Sequence, residues 1–300
     1  MTLPNFLIIG AAKSGTTALY LYLKQHPDIF MTTPKELRYF SYNGPYPKDL
    51  HEDYIHRGVT TFKEYEQHFE EVTDEKAIGE ASPMYLYVPG TAEKIKETLP
   101  DVKLMAILRN PIERAYSAYT HALRDWKEDA GSFRVALEKE PERILAGWGL
   151  LWHYTQAGFY YQQLKRYYEV FDSGQIKVIL HDDLVSNPRG LLREIFEFLE
   201  VDPSFEPDIS ARPNISGFPK NKKFHAFMYR LFMRPNPFKW LGRRIFSQTL
   251  RRKVMVKLRE ENLERREMSE EVRNKLRTIF REDINRLEQL VGRDLSHWLE

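Results

Sequence analysis

The sequence predicts an α/β protein of three layers, in which helices flank a central parallel sheet on both faces. Three short apolar runs, residues 6–9, 102–108 and 176–180, are each followed by a helical pattern. This alternation is typical of parallel strands joined by helical crossovers. Of the 300 residues, 42% are hydrophobic and 29% are charged, a mix that indicates a globular chain. The length permits one large domain or two modest ones, and we expect a single domain over residues 1–300.

The elements follow one another in a simple order. The first strand, residues 6–9, stops at Gly10 and leads into a helix over residues 18–25. A further short strand is predicted at residues 77–80, before Ser82. Helical spacing covers residues 62–71, 91–99, the stretch after 111, 158–170, 191–199 and 268–290. A proline-rich loop, residues 203–219, leads into a basic and aromatic C-terminal region, about residues 212–300, that we expect to form a lid and helices.

The net charge of +2 conceals one strongly basic segment. Residues 212–266 contain 16 Lys and Arg against 3 Asp and Glu, together with eight aromatic residues. Such a segment favours an anionic partner: a nucleotide, a phospholipid surface, a nucleic acid or an acidic carrier protein. Nucleic acid is the weakest of these, because no DNA- or RNA-binding motif accompanies the segment. The alternative interpretation is a solvated amphipathic helix face.

Composition also excludes several classes of protein. Cysteine is absent, which excludes a disulfide scaffold, a thiolate metal site and a cysteine nucleophile. No apolar run approaches the roughly 20 residues that span a bilayer, and residues 1–5 lack the basic start of a signal peptide. We therefore expect a cytoplasmic protein without a transmembrane segment.

Residues 10–17, GAAKSGTT, lie between the first strand and the first helix. Backbone N–H groups and the helix N-terminus favour an anion at such a turn, and Lys13 adds a full positive charge. The loop of nucleotide triphosphatases places its lysine directly after the second glycine, whereas Lys13 precedes Gly15 here. A P-loop nucleotide kinase is therefore the weaker alternative, and an ordinary strand–helix turn is the other.

Polar side chains follow three of the predicted strands. Lys13 follows the first, Glu80 ends the strand before Ser82, and Arg109 follows residues 102–108. Because ligands bind at the carboxyl ends of parallel strands, we expect these side chains to converge on one edge of the sheet.

Two segments resemble a known family. Residues 6–27, FLIIGAAKSGTTALYLYLKQHP, and residues 107–117, ILRNPIERAYS, resemble the paired signatures of sulfotransferases that use 3′-phosphoadenosine 5′-phosphosulfate (PAPS). The likeness is greatest to the heparan-sulfate type and its bacterial relatives. Residues 35–40, residues 79–83 and the C-terminal residues 287–298 show weaker similarity. The resemblance implies a P-loop-like sulfotransferase fold, PAPS as donor, adenosine 3′,5′-bisphosphate (PAP) as product and no required metal.

The implied reaction moves a sulfuryl group to a hydroxyl or amine of a small-molecule, lipid or glycan acceptor by in-line displacement. In our hypothesis Lys13 neutralises the leaving phosphate, within a cradle of backbone N–H groups from Ser14, Gly15, Thr16, Thr17 and Ala18. The resemblance assigns the donor's 3′-phosphate to Arg109 and Ser117. It also implies donor contacts from Tyr160 and from the lid residues Arg212 and Lys220.

The acceptor must lose a proton, so a general base is required. The resemblance aligns Glu36 with the catalytic glutamate of the heparan-sulfate type, and Glu80 is the second candidate. The alternative for Glu36 is a carboxylate simply paired with Lys35 or Arg38. Four histidines are further alternatives for the base: His51, His56, His121 and His181.

The acceptor itself is not determined by the sequence. Residues 42–62 and 121–155 are predicted to line its cleft, with Tyr42, Tyr46, Trp126, Trp148 and Trp152. Aromatic side chains suit a sugar, a phenol or a lipid equally well. Besides the kinase, the remaining alternative is an inactive anion-binding module that docks a membrane or an acidic carrier.

Overall fold

A five-stranded parallel sheet forms the centre of the protein. The computed structural model describes residues 2–41, 58–210, 217–232, 255, 258 and 261–300. The strands are β1 Phe6–Gly10, β2 Ile29–Met31, β3 Ala77–Ala81, β4 Lys103–Leu108 and β5 Ile176–Leu180. Their order is β2-β3-β1-β4-β5, and every neighbouring pair is parallel. The predicted central parallel sheet is confirmed; β2, with three residues, is too short to show a periodicity.

Helices follow the strands in the expected alternation. They are α1 Thr16–Leu23, α2 Phe62–Gln67, α3 Thr91–Thr98, α4 Pro111–Arg124, α5 Phe133–Leu145, α6 Tyr160–Tyr168, α7 His181–Ser186, α8 Pro188–Leu199, α9 Lys222–Phe232 and α10 Glu270–Val291. Helices α5 and α7 lie outside the predicted helical stretches, whereas α9 falls within the C-terminal region that is expected to form helices. Helix α5 contains Pro141, and α7 has only six residues, so both give weak sequence signals.

The sheet supplies two separate hydrophobic cores. Along β4, Leu104 and Ala106 join the core that includes α4, α6 and α10, whereas Met105 and Ile107 join the core that includes α1 and α8. Side chains of a strand point alternately to opposite faces, so one buried strand can serve both cores. The helices therefore flank the sheet on both faces, as predicted.

The parallel arrangement brings the carboxyl ends of the strands to one edge. There β1 leads to Lys13, β3 to Ser82, β4 to Arg109 and β5 to His181. Between β1 and α1, Gly15 has a φ of +103°, and a Cβ there would lie 3.2 Å from the His181 ring. Only glycine meets both demands without strain, and the close approach sets the start of α1 against α7.

The C-terminal region packs back onto α4. A short antiparallel pair joins β6 Phe218–Pro219 to β7 Leu263–Glu264. The Tyr116 hydroxyl of α4 donates to the carbonyl of Arg266 at 3.0 Å. The described parts of the basic segment thus lie beside the helix that carries Ser117. None of the helices within the described ranges is long and apolar enough to span a membrane.

Candidate active site

One cavity of about 420 Å³ opens at the carboxyl edge of the sheet. It is lined by the turn after β1, the start of α1, the loop after β2, the end of β4 and one face of α4. Eight of the residues predicted to bind the donor or to act in the transfer line it: Lys13, Gly15, Thr16, Thr17, Ala18, Glu36, Arg109 and Ser117. The expected convergence of strand-end residues is therefore seen for Lys13 and Arg109; the chemical role of each residue stays a prediction.

The turn after β1 presents four backbone donors to this cavity. Leu19 is the first residue of α1 whose N–H bonds within the helix, to the Gly15 carbonyl at 3.1 Å. The N–H groups of residues 15–18 precede it and face the open end of the helix. The Ser14 N–H instead donates to the Ala11 carbonyl at 3.2 Å, and the Ser14 side chain is buried. The predicted cradle is thus shorter by one residue, because Ser14 closes the turn.

Lys13 reaches across the cavity to α4. Its Nζ lies 2.8 Å from His121 Nδ1, and His121 Nε2 lies 3.2 Å from a carboxylate oxygen of Asp125. Burial is the main cause that lowers the pKa of Lys13 to about 7; Arg124 and Arg109 lower it further, and Asp125 opposes them. The ammonium is therefore close to losing its proton at neutral pH, and a bound polyanion would restore the charge.

One face of α4 forms a wall of the cavity. The Asn110 side chain accepts the Ile112 N–H at 3.0 Å and Pro111 occupies the first turn, so the helix starts directly after Arg109. Ser117, His121 and Asp125 follow at intervals of four residues and all line the cavity. His121 is predicted from the sequence only as an alternative base, and Asp125 is not among the predicted site residues. The spacing of four from Ser117 is the signal that could have found both.

Glu36 lines the cavity and is also paired. Its carboxylate lies 3.1 Å from Lys35 Nζ and 2.5 Å from Arg38 Nη2. Burial acts to raise the pKa of Glu36, but the two cations outweigh it and hold the pKa at about 2. The carboxylate is thus ionised at neutral pH. Glu36 is therefore both a paired carboxylate and part of the cavity lining.

Glu80 does not line the cavity, which corrects its prediction as a second candidate base. Its side chain is fully buried, and it accepts hydrogen bonds from Tyr85 at 2.9 Å, from Tyr65 at 3.1 Å and from Ser82. Burial raises the pKa of Glu80 to about 7, against the effect of these hydrogen bonds. An acceptor has no access to such a carboxylate. The sequence placed Glu80 at the right strand end but could not show that it points into the core.

Tyr160 and Lys220, which are also predicted to contact the donor, do not line the cavity. Tyr160 is fully buried beside Ser14 and Arg109 and does not line the cavity. Its hydroxyl and Ser14 Oγ have no hydrogen-bond partner within the described part of the chain. Lys220 donates to the Glu261 carbonyl at 2.9 Å, next to the β6–β7 pair and away from the cavity wall. Arg212 lies outside the described residues.

Only some residues of the segment predicted to line the acceptor cleft, residues 121–155, line the cavity. Lys127, Leu150 and Leu151 line the cavity, as does His181. Of the predicted tryptophans, Trp152 is buried in the core and Trp126 stacks on His225, so neither lines the cavity. Four further predicted residues lie outside the described ranges: Tyr42, Tyr46, His51 and His56.

Fold and site together define a class of protein. Lys13 follows β1 in a loop of free N–H groups, and Arg109 follows the adjacent strand β4. Two cationic side chains of a P-loop-like α/β fold therefore line one cavity. The family of sulfotransferase domains matches residues 3–288, and the chain belongs to that family. The predicted family and the P-loop-like fold are both confirmed.

Individual relatives agree with this assignment. The crystal structure of a sulfotransferase from Alicyclobacillus acidocaldarius is 34% identical, covers 100% of both chains and superimposes with a TM-score of 0.77. The membrane-associated sulfotransferase kil1 of Dictyostelium discoideum is 23% identical over 79% of this chain and 64% of its own length. The human bifunctional heparan sulfate N-deacetylase/N-sulfotransferase 3 is 28% identical over 68% of this chain and 23% of its own. The chain therefore spans less than two thirds of these two curated relatives.

Proposed function

We propose that the protein transfers a sulfuryl group from PAPS to a hydroxyl or amine of an acceptor. The observation that carries this proposal is that a single cavity receives both signature segments. Lys13 and the donors of the first turn line it together with Arg109 and Ser117. The volume of about 420 Å³ lies in the range of roughly 300–1,000 Å³ that accommodates drug-sized ligands.

The side chains suit the two anionic ends of PAPS. The N–H groups of residues 15–18 and the Lys13 ammonium match the 5′-phosphosulfate, which needs several donors around one centre. The planar fork of Arg109, with the Ser117 hydroxyl, matches the three oxygens of a 3′-phosphate.

Each residue then has a defined task in the transfer. Lys13 stabilises the negative charge that grows on the phosphate oxygen as its bond to sulfur breaks. The acceptor oxygen or nitrogen forms the new bond to sulfur, and Glu36 accepts the proton that the acceptor loses. As in phosphoryl transfer, catalysis then consists of positioning and charge stabilisation.

Binding and transfer assays test the proposal. We expect calorimetry to show tight binding of PAP without Mg²⁺, and a library of acceptors with labelled PAPS to yield at least one labelled product. Binding of ATP with Mg²⁺ in place of PAP would favour the kinase. Binding of neither nucleotide would favour the inactive module.

Arg109→Ala tests whether Arg109 binds the 3′-phosphate end of the donor. Loss of a charged hydrogen-bonding group should weaken PAP binding by about 10- to 100-fold, since such bonds contribute roughly 1.5–3 kcal/mol. Binding of 5′-AMP, which lacks the 3′-phosphate, should change by less than about threefold. Calorimetry of both nucleotides measures the difference. An equal loss for PAP and AMP would move Arg109 away from the 3′-phosphate.

Donor affinity should fall as the pH rises above neutrality. The pKa of Lys13 is about 7 in the free protein, so the charged form that binds phosphate is lost above that pH. If only this form binds, affinity follows its fraction, and PAP should bind about 15-fold more weakly at pH 8.5 than at pH 7. The phosphates are almost fully ionised over this range and add little to the change. The dependence should be absent in Lys13→Ala; an unchanged slope would assign it to another group.

A further inference from the structure

We propose that Glu80 is a positioning residue that holds the loop of the proposed base in its working conformation. The loop, residues 36–40 and hereafter the Glu36 loop, carries Glu36 and its partner Arg38. The role assigned to Glu80 rests on the proposed function of Glu36 and adds a second carboxylate with a different task. Glu80 acts from the core, through Ser82 and Tyr85.

Backbone hydrogen bonds attach the Glu36 loop to the chain that follows β3. The Glu36 N–H donates to the Ala81 carbonyl at 3.1 Å. The Arg38 N–H donates to Ser82 Oγ at 2.9 Å, and the Phe40 N–H donates to the Tyr85 hydroxyl at 3.5 Å. Alternate N–H groups of the loop are therefore held by residues 81–85, and two of the three by side-chain hydroxyls.

Glu80 determines which way those hydroxyls point. Both hydroxyls donate their single hydrogen to the Glu80 carboxylate, Ser82 to one oxygen and Tyr85 to the other at 2.9 Å. In its ionised form the Glu80 carboxylate only accepts hydrogen bonds, so each hydroxyl oxygen then keeps its lone pairs for an N–H of the loop. A side chain that donated to either hydroxyl would compete with the loop for those lone pairs.

The loop needs this support because its backbone is strained. Glu36 has a φ of +69° and Arg38 a φ of +62°, in the left-handed region that side-chain-bearing residues rarely adopt. Such conformations persist only where the surrounding structure imposes them. Arg38 also places its guanidinium 2.5 Å from the Glu36 carboxylate, so a shift of its backbone changes the charge environment of the base.

Three variants test the proposal. Glu80→Gln keeps the shape of the side chain but adds a donor, and Ser82→Ala removes the acceptor of the Arg38 N–H. Both should lower kcat at least tenfold, change PAP affinity less than threefold and speed hydrogen exchange at the Arg38 amide. Tyr65→Phe is the matched control, because Tyr65 donates to the same carboxylate at 3.1 Å without contacting a loop N–H. It should keep kcat within about threefold of the wild type.

A double variant separates positioning from a general loss of structure. If Glu80 acts through Glu36, then Glu36→Gln with Glu80→Gln should be no slower than Glu36→Gln alone. Additive losses, a parallel loss of PAP affinity, or a kcat loss for Tyr65→Phe equal to that of Ser82→Ala would each overturn the proposal. If Glu80→Gln fails to fold, Ser82→Ala decides.

Failure of the base assignment is distinguishable from failure of this inference. Full activity of Glu36→Gln would refute Glu36 as the base. Arg38 amide exchange would still show whether Glu80 holds the loop, since that readout does not depend on catalysis. Wild-type exchange at Arg38 in both Glu80→Gln and Ser82→Ala would refute the positioning role.

Discussion

Lys13→Ala should abolish measurable sulfuryl transfer, with a loss in kcat/KM of at least about 10³-fold. Removal of a single donor that stabilises transition-state charge costs roughly 10²–10³ in rate, and Lys13 carries a full charge. It also contributes to the ground-state contact with phosphate, so PAP binding should weaken by about 10- to 100-fold. Steady-state assays with labelled PAPS, together with calorimetry of PAP, measure the two effects separately.

Lys63→Ala is the matched control for this variant. Lys63 is exposed on α2, away from the cavity lining, so its loss should leave transfer and PAP binding unchanged. Thermal unfolding of Lys13→Ala near the wild-type Tm would show that the protein is intact. Near-normal turnover of an intact Lys13→Ala would refute the leaving-group role and, with it, the proposed arrangement of the donor.

Glu36→Gln should reduce kcat by about 10²–10⁴ while PAP affinity stays nearly constant. The amide keeps the shape of the carboxylate but has no lone pair basic enough to take the acceptor's proton. Lys35 and Arg38 hold the pKa of Glu36 at about 2, so the carboxylate is always ionised but is a weak base. We therefore expect a loss toward the lower end of this range. Single-turnover rates at saturating donor give the value without a contribution from product release.

Glu70→Gln is the matched control for Glu36→Gln. Glu70→Gln removes an exposed carboxylate beyond α2 and should not alter the rate. A full rate for Glu36→Gln would move the general base elsewhere. His121 would then be tested first, because it lines the cavity and lies 2.8 Å from the Lys13 ammonium.

The sequence by itself determined the fold class and most of the site. Buried strands read as continuous apolar runs, and β1, β4 and β5 appear within one residue of their predicted ends. Once strands are parallel, the residues that follow them must share one edge, so Lys13 and Arg109 could be placed together. Residues 6–27 and 107–117 also carried the family resemblance, because the turn and the helix start are local features of the chain.

Only the tertiary structure decided what each polar side chain contacts. Glu80 lies in the short strand β3 and Glu36 follows the short strand β2, yet Glu80 lies in the core and Glu36 lines the cavity. The approach of Lys13 to His121 joins residues that are 108 positions apart in sequence. Local periodicity reports on neighbours along the chain, whereas burial and such long-range pairs arise when separate segments pack together. That packing makes Glu36 an ionised cavity group and Glu80 its buried support.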